Sequence, residues 1–162
     1  MKTVYTCFCT DIIHEGHLNI IRQGRKYGEV IVGVLTDEAM IRFNRFPAVS
    51  FRERVAMVEK IEGVSRVVVQ KKVTYDEIVE QLHPNYIIHG DNWKEGPLRF
   101  LRDNAESLMQ KSKGELIEVA YTNSENALRM ERMQREKLSM PECRRKRLRQ
   151  LLKMCPIVKT LE

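Results

Sequence analysis

Two histidines three positions apart, His14 and His17, enclose a glycine at Gly16, and their types and spacing are the ones in this chain best suited to chemistry. They follow an apolar run at 4–8 and open a stretch with helical spacing, which places both imidazoles at a strand-to-helix junction. A helix N-terminus binds anions, and a glycine there lets the backbone approach a phosphate without a Cβ in the way. Imidazoles at this junction can stabilise charge that develops on a transferred phosphoryl group.

Two other interpretations of the same histidines stay open on spacing alone. Histidines three apart can form a metal-binding pair, or they can be ordinary polar residues at the start of a helix. The elements that position the two rings must decide between these interpretations.

Five apolar runs predict strands that alternate with helices. The runs are mostly continuous rather than alternating, as is typical of parallel strands buried on both faces. They lie at 2–8, 29–35, 66–70, 85–89 and 115–121.

This alternation predicts an α/β fold with a Rossmann-like, open, five-stranded parallel sheet flanked by helices. Ligands of such sheets bind at the carboxyl ends of the strands, near the switch in strand order. His14, Thr36, Asp91 and Thr122 fall at such ends.

The first helix is predicted over 16–27. We expect four of its apolar residues on or near its inner face: Leu18, Ile20, Ile21 and Tyr27.

Polar residues mark the starts of the other helices. Thr36 precedes the second helix, and Ser50 with Glu53 forms a capping-box pattern before the third. Thr74 is expected to cap the fourth helix, and Pro97 to open the fifth at its first turn.

The net charge of +6 is concentrated in one stretch. Residues 1–128 carry 17 basic and 18 acidic side chains, whereas residues 129–153 carry 10 basic and 3 acidic ones. We therefore expect one globular domain over 1–128 and a basic helical extension over 129–162. The basic cluster at 144–149 could contact nucleic-acid phosphates or an anionic membrane. Since no aromatic residue lies among these charges, as a stacking platform for single strands requires, we expect a solvated helix face or linker, with no nucleic-acid or membrane partner.

The cysteines and the apolar segments predict a cytoplasmic location. Cys7 and Cys9 should share one face of the first strand, while Cys143 and Cys155 lack metal-ligand spacing, which favours reduced thiols over a zinc site. No run approaches 18 apolar residues, and the N-terminal run is too short for a signal peptide.

Several segments in order resemble the nucleotidyltransferase superfamily and, within it, the cytidylyltransferases with the HxGH signature. After the first strand these segments are CTDIIHEGHLNII, GVLTDEA, FRERVAMVEKIEGV and IIHGDNW. The resemblance covers residues 1 to about 128. It implies in-line attack of a phosphate or phosphonate oxygen on the α-phosphate of CTP, with release of pyrophosphate and assistance from Mg²⁺.

A narrower resemblance is to the cytidylyltransferases of bacterial phosphonate biosynthesis, which occur alone or fused to phosphoenolpyruvate mutase. It rests on HGDNW at 89–93, on Tyr121 and Thr122, and on the tail RKRLRQLLKMCPIVKTLE, which is similar to the opening of the phosphomutase domain. The resemblance implies transfer of CMP to 2-aminoethylphosphonate or 2-hydroxyethylphosphonate. It further implies a fused or partner mutase and a homo-oligomer.

The same resemblance assigns roles to matching residues. His14 and His17 would contact the triphosphate and the developing charge, and Arg54 would hold the phosphonate or the phosphates. No resident metal site is implied, although Asp11 is a weaker candidate for a metal ligand. The nucleotide would be bound by Cys9, Thr10, Asp11, Gly16, His89, Asp91, Trp93, Tyr121 and Thr122.

Simpler roles are open for three of these residues. Trp93 can serve in packing alone, Arg54 can pair with an acid, and His89 can be a hydrogen-bonding residue at the end of a strand.

Three departures from the family pattern bear on activity. Asn44 stands where a lysine usually contacts the transferring phosphate, so that Arg42 or Arg45 would have to replace its charge. The run NSENA at 123–127 replaces a small-residue run with two serines that would bind the β- and γ-phosphates, and neither Asn126 nor Ala127 restores a hydroxyl. Phe8 and Cys9 stand where small or hydroxyl residues are usual.

Two alternatives to a phosphonate enzyme follow from these departures. One is a cytidylyltransferase for a phosphate ester such as glycerol 3-phosphate or phosphocholine. The other is a degenerate domain that binds a nucleotide, or regulates a fused mutase, without turnover.

Overall fold

The computed structural model describes residues 1–9, 11–43, 45 and 47–122, and isolated positions beyond them (125, 128, 129, 132, 133, 136 and 149). The predictions for Thr10, for Asn44, for most of the 123–127 run and for the basic extension with Cys143 and Cys155 lie outside these residues. No helix in the described part of the chain is long and apolar enough to cross a membrane.

Five parallel strands form one open sheet in the order β3-β2-β1-β4-β5. The predicted fold class is therefore confirmed. The strands are β1 (Thr3–Phe8), β2 (Glu29–Leu35), β3 (Val64–Gln70), β4 (Tyr86–Gly90) and β5 (Glu115–Val119).

Helices fill the crossovers between the strands. They are α1 (Glu15–Gly24), α2 (Asp37–Arg42), α3 (Phe51–Glu59), α4 (Asp76–Leu82) and α5 (Arg99–Ser112), with short 3₁₀ helices at Asp91–Trp93 and Gly96–Leu98.

Adjacent residues of β1 face opposite layers, because side chains alternate across a strand. Val4 is fully buried in a core that includes Ile21 of α1 and Val58 of α3. Tyr5 is fully buried on the other face, among residues of α4 and α5 such as Ile78. The sheet is thus covered on both sides, as its continuous apolar strands require.

The strand order reverses between β1 and β4, which is where a doubly wound sheet opens a crevice. The β1–β2 ladder extends to the pair Phe8–Val34, and the β4–β5 ladder extends to Gly90–Val119. Within the described residues, the β1–β4 ladder ends at Tyr5–Ile87. The carboxyl ends of the two central strands therefore separate, and the crevice lies between them.

A buried hydrogen-bonded group ties β1 to β3 across Gly33 of β2. The hydroxyl of Tyr5 donates to Gln70 Oε1, and Gln70 Nε2 donates to the carbonyl of Lys72 at 2.7 Å. An ideal Cβ at position 33 would overlap the Tyr5 hydroxyl oxygen and lie 2.7 Å from Tyr5 Cζ. This group needs a glycine on the middle strand because the tyrosine ring crosses it.

Two of the predicted helix starts are confirmed. The Thr36 hydroxyl accepts the N–H of Ala39 at 3.1 Å. The Ser50 hydroxyl accepts the N–H of Glu53, whose carboxylate in turn accepts the N–H of Ser50 at 3.2 Å, so the capping box is complete.

The other two helix starts differ from the prediction. Thr74 is not the cap of α4: Tyr75 holds that position and makes no capping hydrogen bond with its side chain. The Tyr75 ring is instead buried edge-on against Tyr5 and Trp93, and the Tyr75 N–H donates to Asn104 Oδ1 at 2.9 Å. Pro97 lies in a 3₁₀ turn, and α5 begins two residues later.

The prediction for the inner face of α1 was correct only for its centre. Ile21 is buried and Ile20 partly buried, but Leu18 and Tyr27 are 39% and 43% exposed. Tyr27 lies beyond the end of the helix, where its ring contacts Tyr86 at 5.3 Å between centroids. That contact with the first residue of β4 gives a packing role to an aromatic residue that the helical spacing had assigned to the inner face of α1.

Candidate functional site

The two histidines cap α1 reciprocally at the crevice. The N–H of Gly16 donates to Nδ1 of His14 at 3.1 Å, and the N–H of His14 donates to Nδ1 of His17 at 3.3 Å. Their ring centroids lie 4.0 Å apart. Two imidazoles thus perform the function that Ser and Glu perform in an ordinary capping box.

This cap determines which ring nitrogen carries the proton. Each Nδ1 receives a backbone N–H and must accept, so the neutral form of each ring holds its hydrogen on Nε2. A ligand that met either ring at its other nitrogen would therefore meet an Nε2–H donor.

His17 is held neutral at physiological pH. Burial, followed by the nearby His14 and His89, lowers the pKa of its imidazole from 6.5 to about 3. The Phe8 ring packs edge-on against it, with centroids 4.7 Å apart. Any hydrogen bond that His17 makes to a phosphate is therefore that of a neutral donor.

Gly16 is required by the cap itself. An ideal Cβ there would lie 2.9 Å from Cε1 and 3.0 Å from Nδ1 of His14, both closer than ordinary contacts. The glycine predicted for close approach of a phosphate thus also makes room for the His14 ring.

The loops after β4 and β5 reach the same end of the sheet. The N–H of Tyr121 donates to Asp91 Oδ1 at 2.9 Å, which joins the two loops. Asn19 of α1 donates to the hydroxyl of Thr122 at 3.2 Å. The structure therefore brings the predicted positions Asp91, Tyr121 and Thr122 to the N-terminal half of α1.

Trp93 has no exposed surface and supports His89. The two rings are stacked at 3.8 Å between centroids and 12° between planes. Trp93 Nε1 donates to Glu118 Oε1 at 2.9 Å, and Arg102 Nε donates to the same oxygen at 3.0 Å. Packing is the role that this geometry gives Trp93, whereas contact between Trp93 and a nucleotide stays a prediction.

His89 has the opposite tautomer to the capping pair. Its Nδ1 lies 2.8 Å from the carbonyl oxygen of Gly90, and because a carbonyl only accepts, Nδ1 carries the hydrogen. Burial lowers the pKa of His89, although the Gly90 carbonyl and Glu118 oppose that shift. The neutral ring leaves Nε2 as an acceptor, so His89 also matches the simpler role of a hydrogen-bonding residue at a strand end.

Arg54 is an internal residue, only 2% exposed. One guanidinium nitrogen, Nη2, binds Asp37 Oδ1 at 2.7 Å, and Nε lies 3.3 Å from the carbonyl of Val49 and 3.6 Å from Asp11 Oδ1. Asp11 also accepts the N–H of Ala48. Arg54 therefore joins the loop after β1 to the N-terminus of α2, while its contact with a phosphonate or phosphate stays a prediction.

Arg45 follows α2 in the chain, and its side chain reaches the end of β1. Its Nη1 donates to the carbonyl oxygen of Cys9 at 3.2 Å, and its side chain is exposed. Cys7 and Cys9 pack against the same small cluster around Leu35, and both thiols are free. The predicted common face of the two cysteines is thus confirmed.

Sequence reasoning did not single out Asp37, Asn19 or Glu118 as parts of this site. Asp37 was visible only as a polar residue at a helix start, and Glu118 only as an acid within a strand. Their partners are 17, 103 and 25 positions away respectively. Within the described ranges, no group of three or more His, Cys, Asp or Glu side chains is placed to hold a metal ion.

The strand order β3-β2-β1-β4-β5, with α1 starting beside its switch point, is that of a Rossmann-like α/β fold of the nucleotidyltransferase type. The chain belongs to the cytidylyltransferase-like family, whose model matches residues 5–146.

Two curated proteins that this chain resembles are both named as cytidylyltransferases. The chain is 34% identical over 95 residues to the ethanolamine-phosphate cytidylyltransferase of Arabidopsis thaliana. The aligned region covers 55% of this chain and 23% of that protein. It is 31% identical over 113 residues to the glycerol-3-phosphate cytidylyltransferase of Staphylococcus aureus. That alignment covers 68% of this chain and 85% of that protein. The chain spans less than a quarter of the length of the first curated relatives that it matches.

A solved structure shares the fold. The lipopolysaccharide core biosynthesis protein from Thermoplasma volcanium superposes with a TM-score of 0.64 at 19% identity, over 76% of this chain and 99% of that one.

Proposed function

We propose that this protein transfers CMP from CTP to a small phosphonate, 2-aminoethylphosphonate or 2-hydroxyethylphosphonate, and releases pyrophosphate. The observation that carries the proposal is the reciprocal cap, which presents two imidazole Nε2–H donors beside the crevice of a cytidylyltransferase-like sheet. Donors held in place before the substrate arrives are what stabilises a phosphoryl group during transfer.

In the proposed reaction a phosphonate oxygen attacks the α-phosphorus of CTP. A new P–O bond forms, the bond to the bridging oxygen between the α- and β-phosphates breaks, and pyrophosphate leaves with that electron pair. His14 and His17 donate hydrogen bonds to the phosphate oxygens and are not themselves protonated or deprotonated. Catalysis on this scheme depends on positioning and electrostatics rather than on a covalent intermediate.

Mg²⁺ belongs to the proposal as the partner of CTP. The ion, when bound, neutralises charge on the phosphates and on the departing pyrophosphate. The one carboxylate considered for it, Asp11, already accepts the N–H of Ala48 and lies beside Arg54. Among the described residues, Asp11 would therefore hold the ion only weakly, and the charge neutralisation would be supplied where the ion meets the phosphates.

The choice of a phosphonate rests on the HGDNW segment, on Tyr121 and Thr122, and on the mutase-like tail. The same tail supports a fused or partner phosphoenolpyruvate mutase that follows a nucleotidyltransferase domain over 1–128. A homo-oligomer, measurable by light scattering, completes this proposal.

A phosphate ester is the second candidate acceptor, and the names of the relatives favour it. Ethanolamine phosphate and 2-aminoethylphosphonate share an aminoethyl group and a phosphorus oxyanion, and they differ by one bridging oxygen. A pocket for one can therefore accommodate much of the other, and only a direct comparison separates them.

The test is pyrophosphate release from CTP with a panel of acceptors. The panel contains 2-aminoethylphosphonate, 2-hydroxyethylphosphonate, ethanolamine phosphate, glycerol 3-phosphate and phosphocholine. A higher kcat/KM with a phosphonate supports the proposal, and a higher value with an ester replaces it by the second candidate. CTP binding in calorimetry without release from any acceptor would identify a binding or regulatory domain instead.

A His17→Ala variant tests the mechanism in the same assay. Removing one donor to the transferring group should lower kcat by about 100-fold or more, while the fold, followed by urea unfolding, persists. His83→Asn removes an exposed histidine at the end of α4, at a positive φ of 45° that asparagine tolerates, and serves as the control. Undiminished turnover by His17→Ala would refute the role given to the cap.

A further inference from the structure

The carboxyl end of β4 leaves one of its two neighbouring strands and stays with the other. Within the described residues, the β1–β4 ladder stops at the pair Tyr5–Ile87. The β4–β5 ladder continues beyond that point and pairs His89 with Glu118. Because directly paired residues of neighbouring strands project to the same face of a sheet, the side chains of His89 and Glu118 share one face beside the crevice.

The Trp93 indole joins the side chains of this pair. It stacks on the His89 ring at 3.8 Å between centroids and 12° between planes, and its Nε1–H donates to Glu118 Oε1 at 2.9 Å. A stack alone would let the two rings slide over each other. The second attachment removes that freedom, since Trp93 is fully buried and turning its indole away from Glu118 would leave the N–H without this acceptor.

Arg102 of α5 holds Glu118 in turn. Its Nε donates to Glu118 Oε1 at 3.0 Å and its Nη2 to Oε2 at 3.3 Å, so one guanidinium binds both carboxylate oxygens. Its Nη1 donates to Glu106 at 2.9 Å, one turn along α5. Lys94 Nζ, in the loop after β4, lies 3.5 Å from Glu118 Oε2. The orientation of the Glu118 carboxylate is thus fixed from α5 and from that loop before any ligand binds.

A carboxylate at position 118 is costly if packing is its only task. The Glu118 side chain is 16% exposed, so it has lost much of the hydration that an ionised group has in water. Apolar residues of similar volume often replace such ion pairs without loss of stability. An apolar residue cannot, however, accept the indole N–H. That acceptor is what orients Trp93 and, through the stack, the His89 ring.

The His89 ring is the part of this group that lies toward the histidine-capped helix. It is close enough to His17 to lower the pKa of that residue, after burial and His14. The His89 ring is partly exposed, and its Nδ1–H is used by the Gly90 carbonyl at 2.8 Å, so Nε2 is the nitrogen left to accept a hydrogen bond. Fixing the plane of the ring fixes the direction of that acceptor.

We infer that Glu118 is a positioning residue of this site, which acts through the Trp93 indole to hold the His89 ring in place for the transfer reaction. The inference rests on the proposed function, since the ring that Glu118 orients lies at the crevice of the proposed site. It gives Glu118 itself no contact with the substrate.

Glu118→Met tests this role, with Glu106→Gln as the matched control. Methionine has a similar length but cannot accept the indole N–H, whereas Glu106 binds the same arginine from the surface of α5. Pyrophosphate release from CTP is measured with the best acceptor of the panel. Glu118→Met should lower kcat/KM by about 10- to 100-fold, because a small misplacement of a group in the site is costly. Glu106→Gln should change kcat/KM less than about twofold.

The conservative variant Glu118→Gln should restore part of the activity that Glu118→Met loses. Its amide oxygen can still accept the indole N–H, although the charge that pairs with Arg102 is gone. A role in packing alone would not predict this order of activities.

Nuclear magnetic resonance follows the orientation independently of turnover. Trp93 is the chain's single tryptophan, so its indole N–H gives one signal. That signal and those of the His89 ring should move in Glu118→Met and stay in place in Glu106→Gln. Trp93→Phe keeps a ring on His89 but removes the N–H. The double variant Trp93→Phe/Glu118→Met should lose no more activity than the larger single loss, because both changes remove the same bond.

The outcomes separate the inference from the proposed function. Glu118→Met with activity within twofold of wild type would overturn the inference and leave the proposed function standing. Lost activity with unmoved indole and His89 signals, or additive losses in the double variant, would also overturn it. Wild-type protein that releases no pyrophosphate with any acceptor would overturn both. Urea unfolding shows whether each variant is folded, and if Glu118→Met is not, a fully active Trp93→Phe variant overturns the inference.

Discussion

Replacing His17 by glutamine tests whether the helix cap needs a neutral imidazole. Nδ1 of His17 accepts the main-chain N–H of His14, and a proton on that nitrogen would turn the acceptor into a donor facing another donor. The pKa of His17 is lowered to about 3 by burial and by the neighbouring His14 and His89. The folded protein thus holds this proton less tightly than the unfolded chain. The stability provided by the neutral ring is complete above pH 6.5 and is lost as the pH falls toward 3.

The magnitude follows from the two pKa values. Each pH unit in this window costs roughly 1.4 kcal/mol. His17 alone should therefore lower the free energy of unfolding by at most about 2 kcal/mol between pH 8 and pH 5. Glutamine at the third helical position is a normal capping-box partner, which accepts the His14 N–H without titrating. The His17→Gln variant should lose about 2 kcal/mol less than wild type over the same interval.

Urea unfolding at the two pH values measures this difference, with fluorescence of the fully buried Trp93, the chain's single tryptophan, as the signal. His89 is present in both proteins, so the comparison isolates His17. The control is His83→Asn, which removes an exposed histidine at a positive φ of 45° that asparagine also tolerates. Parallel loss of stability in wild type and His17→Gln would refute the argument.

Two further substitutions test the supports of the site. Arg54→Met should lower the free energy of unfolding by about 3–5 kcal/mol, because it leaves the buried Asp37 without its partner. Adding Asp37→Asn should recover part of that loss in urea unfolding, and a single variant as stable as wild type would contradict the ion pair. Gly33→Ala should cost about 1–3 kcal/mol through overlap with the Tyr5 ring. The cost should be smaller in a Tyr5→Phe background, and equal costs would show that the hydroxyl is not the obstacle.

Local pattern predicted the elements wherever burial alone decides them. The continuous apolar run EVIVGVL corresponds to β2 with both ends correct, and Ser50 with Glu53 marked the start of α3. The local sequence pattern gave the wrong helix start where contacts with residues distant in the chain are involved. Tyr75 rather than Thr74 holds the cap position before α4, and its ring packs against Tyr5 and Trp93, contacts that no local window contains.

The same distinction applies to the site. The spacing of His14 and His17 predicted two imidazoles at a helix start, and the structure places both there. Spacing could not show that the His14 ring accepts the N–H of Gly16 and the His17 ring that of His14. Nor could it show that Arg54 lies inside the protein between two acids. That arrangement depends on the sheet, which brings the loop after β1 and the start of α2 to one edge.

The position of Arg45 bears on how the missing family lysine at position 44 should be judged. A comparison by position counts Asn44 as a lost cation, because it compares one side chain with another at the same place in the chain. Binding depends instead on where the charged group lies in space. An arginine side chain is longer than the distance between neighbouring Cα atoms, so its guanidinium can take the place of a charge carried by the adjacent residue. The bond from Arg45 Nη1 to the Cys9 carbonyl brings a guanidinium to the loop after β1, although Asn44 beside it in the sequence is uncharged. If Arg45→Gln weakens CTP binding and Arg42→Gln does not, the departure at position 44 moves the charge by one residue and does not remove it.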